Sequence, residues 1–178
     1  MQIHALKHHE NFNPEKVNDV SVRWTELNDG RLMLRYHVAD CKSLIMPDFR
    51  GKGRGDDLWK TTCCELFLYD GKGRYREYNF SPSQQWSAFA FNGYRMGRED
   101  IVPIDPPEII AERGQSIFML TVFLSQKELR GARQGAVCAV VEEQGARMSY
   151  WAMSHHKLQP DFHDPACFGL RLQPPKAP

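Results

Sequence analysis

The chain has 178 residues, enough for one domain with a sizeable core and too few for two ordinary ones. Its 23 Lys and Arg against 22 Asp and Glu create no basic field for nucleic acid, and the short cluster Arg50, Lys52, Arg54 runs straight into Asp56 and Asp57. The opening residues lack the apolar stretch of a signal peptide, and no window approaches the roughly 18 apolar residues of a membrane span; a cytoplasmic protein with neither nucleic-acid nor membrane partners is expected.

Segments of period two separated by turn residues dominate the chain and predict antiparallel strands at 20–26, 31–38, 61–69, 75–80, 86–91, 108–113, 116–124, 136–143, 147–153 and 167–172. Between them stand Asn28-Asp29-Gly30, Asp70-Gly71, Asn92-Gly93, Arg113-Gly114 and Gln144-Gly145, residues that tolerate the backbone of tight turns. Only 125–130 reads as helix, with Ser125 as N-cap and Glu128 completing a capping box. About ten strands with at most one short helix predict a single all-β domain, an antiparallel β-sandwich. Long irregular segments at 39–57, 94–107 and 154–166 are where function is expected to sit. The tail PPKAP shows no packing role. The five cysteines form no CxxC pair, so reduced thiols in a packed interior are expected.

Chemistry concentrates in 58–86, LWKTTCCELFLYDGKGRYREYNFSPSQQW. In its first strand Cys64, Leu66 and Leu68 share the core face, while Cys63, Glu65, Phe67 and Tyr69 share the other. A five-residue loop, 70–74, places Tyr69 opposite Tyr75, Phe67 opposite Glu77 and Glu65 opposite Asn79. A two-residue turn would instead set Glu65 beside Tyr78 and Phe80. In the preferred register a carboxylate and a carboxamide lie side by side, able to accept from and donate to adjacent hydroxyls, and Trp59 offers an apolar plate for a sugar ring. The competing reading pairs Glu65 with Arg76, Arg95 or Arg147 and has Trp59 merely cover a sheet end.

The runs LWKTTCCELFL, YREYNFSPSQQW, FNGYRMG, SYWAMSHH and PDFHDPACFGLRL resemble the small bacterial DOMON-like proteins, which are similar in turn to family 9 carbohydrate-binding modules. The likeness spans 56–172 and implies a β-sandwich of the DOMON and family 9 type. In sugar-binding relatives a Trp before the strand and a Glu six residues later contribute to the site, and Trp59 and Glu65 match that spacing. A second Trp usually completes an aromatic sandwich, a role for Trp151 or Trp86. Three departures stand out: Cys63-Cys64 replaces a single Cys, Gln84 replaces a Gly after the Pro-Ser turn, and His155-His156-Lys157 replaces His-Pro-Pro.

The expected site is therefore Trp59, Glu65, Glu77, Asn79, Trp86 and Trp151, binding a carbohydrate or sugar-containing metabolite without catalysis. Glu65 and Glu77 lie diagonally, at roughly the 7–8 Å of such neighbours, which also suits an inverting glycosidase; Arg74 or Arg76 nearby is expected to lower the raised pKa that a catalytic acid needs. His155, His156 and His163 are metal-ligand types, but their spacing with Asp161, Asp164 and Cys167 matches no standard zinc pattern. Met46 or Met96 with His163 or His155 offers an axial pair of the kind by which some DOMON domains carry haem. No cofactor is expected. The alternative classes are a haem- or metal-binding redox or sensory domain and a protein-interaction module. The segment 154–166 is expected to wall or cover the site, the competing view being that Phe162 and Phe168 only anchor it to the sheet edge.

Overall fold

A computed structural model describes residues 1–172; the PPKAP tail lies outside the described residues. The strands are β1 Gln2–His8, β2 Asp19–Glu26, β3 Arg31–Ala39, β4 Gly53–Arg54, β5 Cys63–Tyr69, β6 Tyr75–Phe80, β7 Gln85–Phe91, β8 Glu99–Asp100, β9 Glu108–Arg113, β10 Ile117–Ser125, β11 Gln134–Glu143, β12 Arg147–Ala152 and β13 Leu170–Arg171. They form one continuous mixed sheet in the order β4-β7-β6-β5-β11-β12-β1-β2-β3-β10-β9, with β13 on β11 and β8 on β7. All neighbours are antiparallel except β4 and β7. The sheet curls like half a barrel. In β1, Gln2–Leu6 pairs with β2, whereas Lys7 and His8 pair with Ala152 and Trp151 of β12, so this one strand joins the two halves.

The curl brings the inward faces of both halves into one core. Val20, Val22 and Trp24 of β2, Leu32, Leu34, Tyr36 and Val38 of β3, and Phe118, Leu120, Val122 and Leu124 of β10 alternate with less buried residues and meet Leu66, Leu68, Tyr78 and Phe80 of the β5–β6 hairpin. Each such side chain contributes about 1.5–3 kcal/mol by leaving water. The Tyr36 hydroxyl crosses this core to donate to the Glu65 carbonyl at 2.7 Å, so its polar end is satisfied.

The central strands differ from the outer ones in being buried on both faces, β5 along nearly its whole length. Their outer face carries a second apolar cluster in which Phe67, Tyr75, Phe89, Phe91, Cys138 and Val140 pack with Phe162 and Phe168 from the C-terminal segment. That covered face holds the candidate site.

Several expectations change. The strand at the start of the chain was invisible to periodicity because Leu6 is its only buried residue. Helical structure among the described residues is four 3-10 turns, Cys41–Ser43, Leu58–Lys60, Gln126–Leu129 and Pro165–Cys167. The expected capping box does not form: Ser125 makes no side-chain cap. Glu128 instead accepts from the Tyr78 hydroxyl at 2.5 Å, Arg76 Nη1 at 3.2 Å and the Ile104 amide at 2.6 Å. The strand expected at 167–172 shrinks to two residues because a 3-10 turn capped by Asp164 occupies its start.

Candidate functional site

The floor of the site follows from the hairpin register. Asp70 closes the five-residue loop: its amide donates to the Arg74 carbonyl and its carboxylate accepts from the amides of Lys72 and Arg74. Glu65 therefore faces Asn79, Phe67 faces Glu77 and Tyr69 faces Tyr75, as the alternation requires. With side chains two apart sharing a face, Glu65 and Glu77 rise together on the outer side, away from Tyr78 and Phe80 in the core. They are 3% and 6% exposed. Both line a cavity of about 390 Å³ together with Trp59, Phe89, Phe91, Arg95, Arg98, Val140, Tyr150, Pro160, Phe162 and His163.

Two loops make the walls, and Asp161 ties them together. It accepts from Arg95 at 2.9 Å and Lys157 at 2.6 Å, from the Tyr94 hydroxyl, and from the His163 amide at 3.2 Å. Tyr75 reinforces the join, because its hydroxyl receives the Arg95 amide at 3.0 Å and lies 2.9 Å from His163 Nδ1. The segment 154–166 is thus a wall of the cavity, and Phe162 and Phe168 also anchor it. Trp59, 44% exposed on the 3-10 turn ahead of β5, stands at the rim.

Electrostatics divide the cavity into an acidic floor and a basic rim. Burial pushes the Glu65 carboxyl well above the usual carboxylate range, the neighbouring Glu77 charge pushes it further, and Arg95 only partly opposes them. Among the described residues the Glu65 carboxyl has no hydrogen-bond partner. Burial raises Glu77 too, while the Asn79 amide, donating to its Oε1 at 2.7 Å, and the charges of Arg98 and Arg95 act the other way. Of the two, Glu77 is the better placed to keep the negative charge. His163 Nε2 lies 3.7 Å from Glu77 Oε2, yet burial and the Arg95 charge lower its pKa to about 4, so the imidazole is neutral at neutral pH. Asp161 stays ionised: burial would raise its carboxyl, but hydrogen bonds from Lys157, Tyr94 and Arg95 hold it far below the usual range.

The expected lowering by Arg74 or Arg76 is overturned. Arg76 lies on the opposite face of β6, where it pairs with Glu128. Nor does Glu65 take an arginine partner, since Arg95 pairs with Asp161 and Arg147 reaches Glu15 at 3.9 Å.

Of the six residues expected at the site, the structure brings Trp59, Glu65 and Glu77 to the cavity. Asn79 is fully buried behind them and supports Glu77. Trp86 and Trp151 are not brought there. Alternation along β7 sends Trp86 and Ala88 inward and Phe89 and Phe91 outward; along β12 it sends Ser149 and Trp151 inward and Tyr150 outward. The Trp151 indole donates to Ser149 Oγ at 2.9 Å within the core. The missed lining residues Phe89, Phe91 and Tyr150 are the neighbours of opposite parity, which alternation alone does not rank. Arg95 and Arg98 lie on an irregular loop and gave no periodic signal.

The histidines disperse. His155 Nε2 meets the Lys7 carbonyl at 2.9 Å, His156 Nε2 meets Ser154 Oγ at 3.2 Å, and only His163 reaches the cavity. Among the described residues no three His, Cys, Asp or Glu side chains gather to hold a metal ion.

No family model matches the chain. No curated protein matches it either. In fold it is similar to the crystal structure of a "putative carbohydrate-binding protein" from Bacteroides uniformis, with a TM-score of 0.69 and 16% identity over 94% of this chain and 84% of that one.

Proposed function

We propose that this chain is a non-catalytic ligand-binding domain that takes a carbohydrate or sugar-containing metabolite in the Trp59–Glu65–Glu77 cavity. The observation that carries the reading is the meeting of two buried carboxyl groups, one without a partner, with an aromatic wall and an exposed indole. Sugar hydroxyls supply the donors that Glu65 and the Oε2 of Glu77 lack, and the less polar face of the ring rests on Trp59 and the phenyl rings. The fold neighbour from Bacteroides uniformis supports it. So does the likeness to DOMON and family 9 modules, under which the two halves of the curled sheet form a single-domain sandwich. All five cysteines are free and buried, in keeping with a cytoplasmic setting.

Both carboxyl groups project from one sheet face. Both face the same cavity, where accepting from ligand hydroxyls needs no further group.

Titration calorimetry with glucose, galactose and cellobiose tests the proposal. At least one should bind. Glu65→Gln should weaken it by about 1–3 kcal/mol, the range for a lost hydrogen bond to a charged or buried group, and Trp59→Ala by about tenfold. Binding that both variants leave untouched would place the sugar elsewhere.

A further inference from the structure

The floor and rim of the cavity differ in kind. Glu65 and Glu77 are buried at the bottom, whereas Arg95 and Arg98, on the loop between β7 and β8, are exposed and line the same cavity. A ligand that satisfied the floor alone would need only hydroxyl donors. Two guanidinium groups at the mouth ask for something more.

The arginines are not equivalent. Arg95 gives one edge to Asp161 at 2.9 Å. Arg98 forms no ion pair with any carboxylate of the described residues; its guanidinium carbon sits 3.9 Å from the centre of the Phe89 ring. A guanidinium this close over an aromatic ring is held by cation–π attraction, and with no ion pair of its own its N–H groups are free to donate to a carboxylate or phosphate by two parallel hydrogen bonds. Phe89 is itself a cavity residue, so this contact holds the fork at the mouth. Among the described residues the Arg98 charge acts on Glu77 without forming an ion pair.

We propose that the cavity selects an anionic saccharide, its hydroxyls directed to Glu65 and Glu77 on the floor and its carboxylate or phosphate held at the rim by Arg98, with Arg95 beside it. The inference rests on the saccharide reading above and adds ligand class and orientation. A cationic sugar fits less well, since its charge would have to pass two arginines. A neutral sugar leaves the Arg98 fork without an acceptor.

The test compares matched ligands by titration calorimetry: glucose with glucuronate and glucose 6-phosphate, and galactose with galacturonate and galactose 6-phosphate. In at least one set an anionic member should bind about tenfold or more tightly than the neutral one, the range of a charge-assisted hydrogen bond. That preference should weaken as salt is raised. Arg98→Gln should bring the ratio of anionic to neutral affinity close to one, and circular dichroism should show the variant folded, since the side chain is exposed. Whether carboxylate or phosphate is preferred identifies the anion. Neutral sugars binding as tightly as their anionic partners, or a preference that survives in Arg98→Gln, would overturn the inference while leaving the saccharide reading in place. No binding by any member of either set would overturn both.

Discussion

Glu65 and Glu77 stand diagonally on the outer face of the β5–β6 hairpin, Glu65 opposite Asn79 and Glu77 opposite Phe67, so two carboxyl groups share one largely desolvated space. Neither has a cation as close partner: the arginines that temper their pKa values lie at the cavity rim. An unliganded cavity of this kind favours uptake of a proton by the pair, and a ligand that brings its own hydrogen-bond donors relieves the same strain.

That relationship has a pH signature. The folded-state pKa of Glu65 is raised above its ordinary value of 4.5. Its contribution to stability is therefore fully present below about pH 4.5 and lost as pH rises through the folded value, because the folded state holds the proton longer than the unfolded chain. Glu65→Gln removes this dependence. Urea unfolding at pH 5 and pH 8 should show the variant losing less stability than the parent as pH rises. Parallel pH dependence in the two proteins would mean that Glu65 ionises normally.

Glu143 should behave in the opposite sense. Its carboxylate, fully buried at the end of β11, accepts from the amides of Glu15, Lys16 and Val17 at 2.7, 2.8 and 3.0 Å and from the Ser43 hydroxyl at 2.6 Å. Burial alone would raise its pKa; these four donors outweigh it and hold the group below its ordinary value. Its stabilisation is present above about pH 4.5 and is lost as pH falls through the folded value. Glu143→Gln, which cannot satisfy all four donors, should cost about 2–3 kcal/mol in urea unfolding at pH 7. Hydrogen exchange at residues 15–17 should accelerate. A loss under about 0.5 kcal/mol would show that the amides find other partners.

Gln84 offers a test of backbone strain. It has a φ of +68°, in the turn where its amide donates to the Ser81 carbonyl at 3.0 Å. The left-handed backbone costs an L-residue about 1–2 kcal/mol. Part of the relief from Gln84→Gly is offset by the greater freedom of glycine in the unfolded chain. The net expectation is a gain of about 0.5–1 kcal/mol in thermal or urea unfolding, with no gain for Gln84→Ala, which keeps the Cβ.

Nine strands (β2, β3, β5 to β7 and β9 to β12), the hairpin register and the shared face of Glu65, Glu77 and Asn79 are legible in the local sequence. All three rest on local geometry, since side chains two apart point the same way and the Asp70 loop sets which residue faces which. The pairing of Trp59 with Glu65 was legible for a similar reason: they lie six residues apart on one continuous stretch.

What local pattern left open was decided by segments distant in the chain. Strand alternation alone left the burial of the hairpin's outer face open, since Phe162, His163 and Phe168, which cover it, come roughly ninety residues later. The choice between Tyr150 and Trp151 depended on which side of β12 the sheet curled toward, and either parity satisfied the alternation. Glu128 fitted a capping box until Tyr78 and Arg76, from a strand about fifty residues earlier, captured its carboxylate. Arg95 and Arg98 belong to a loop with no period, placed by Asp161 and by the Phe89 ring. Alternation records which residues share a face; burial, and with it the raised carboxyl pKa values of the site, depends on what long-range packing lays over that face.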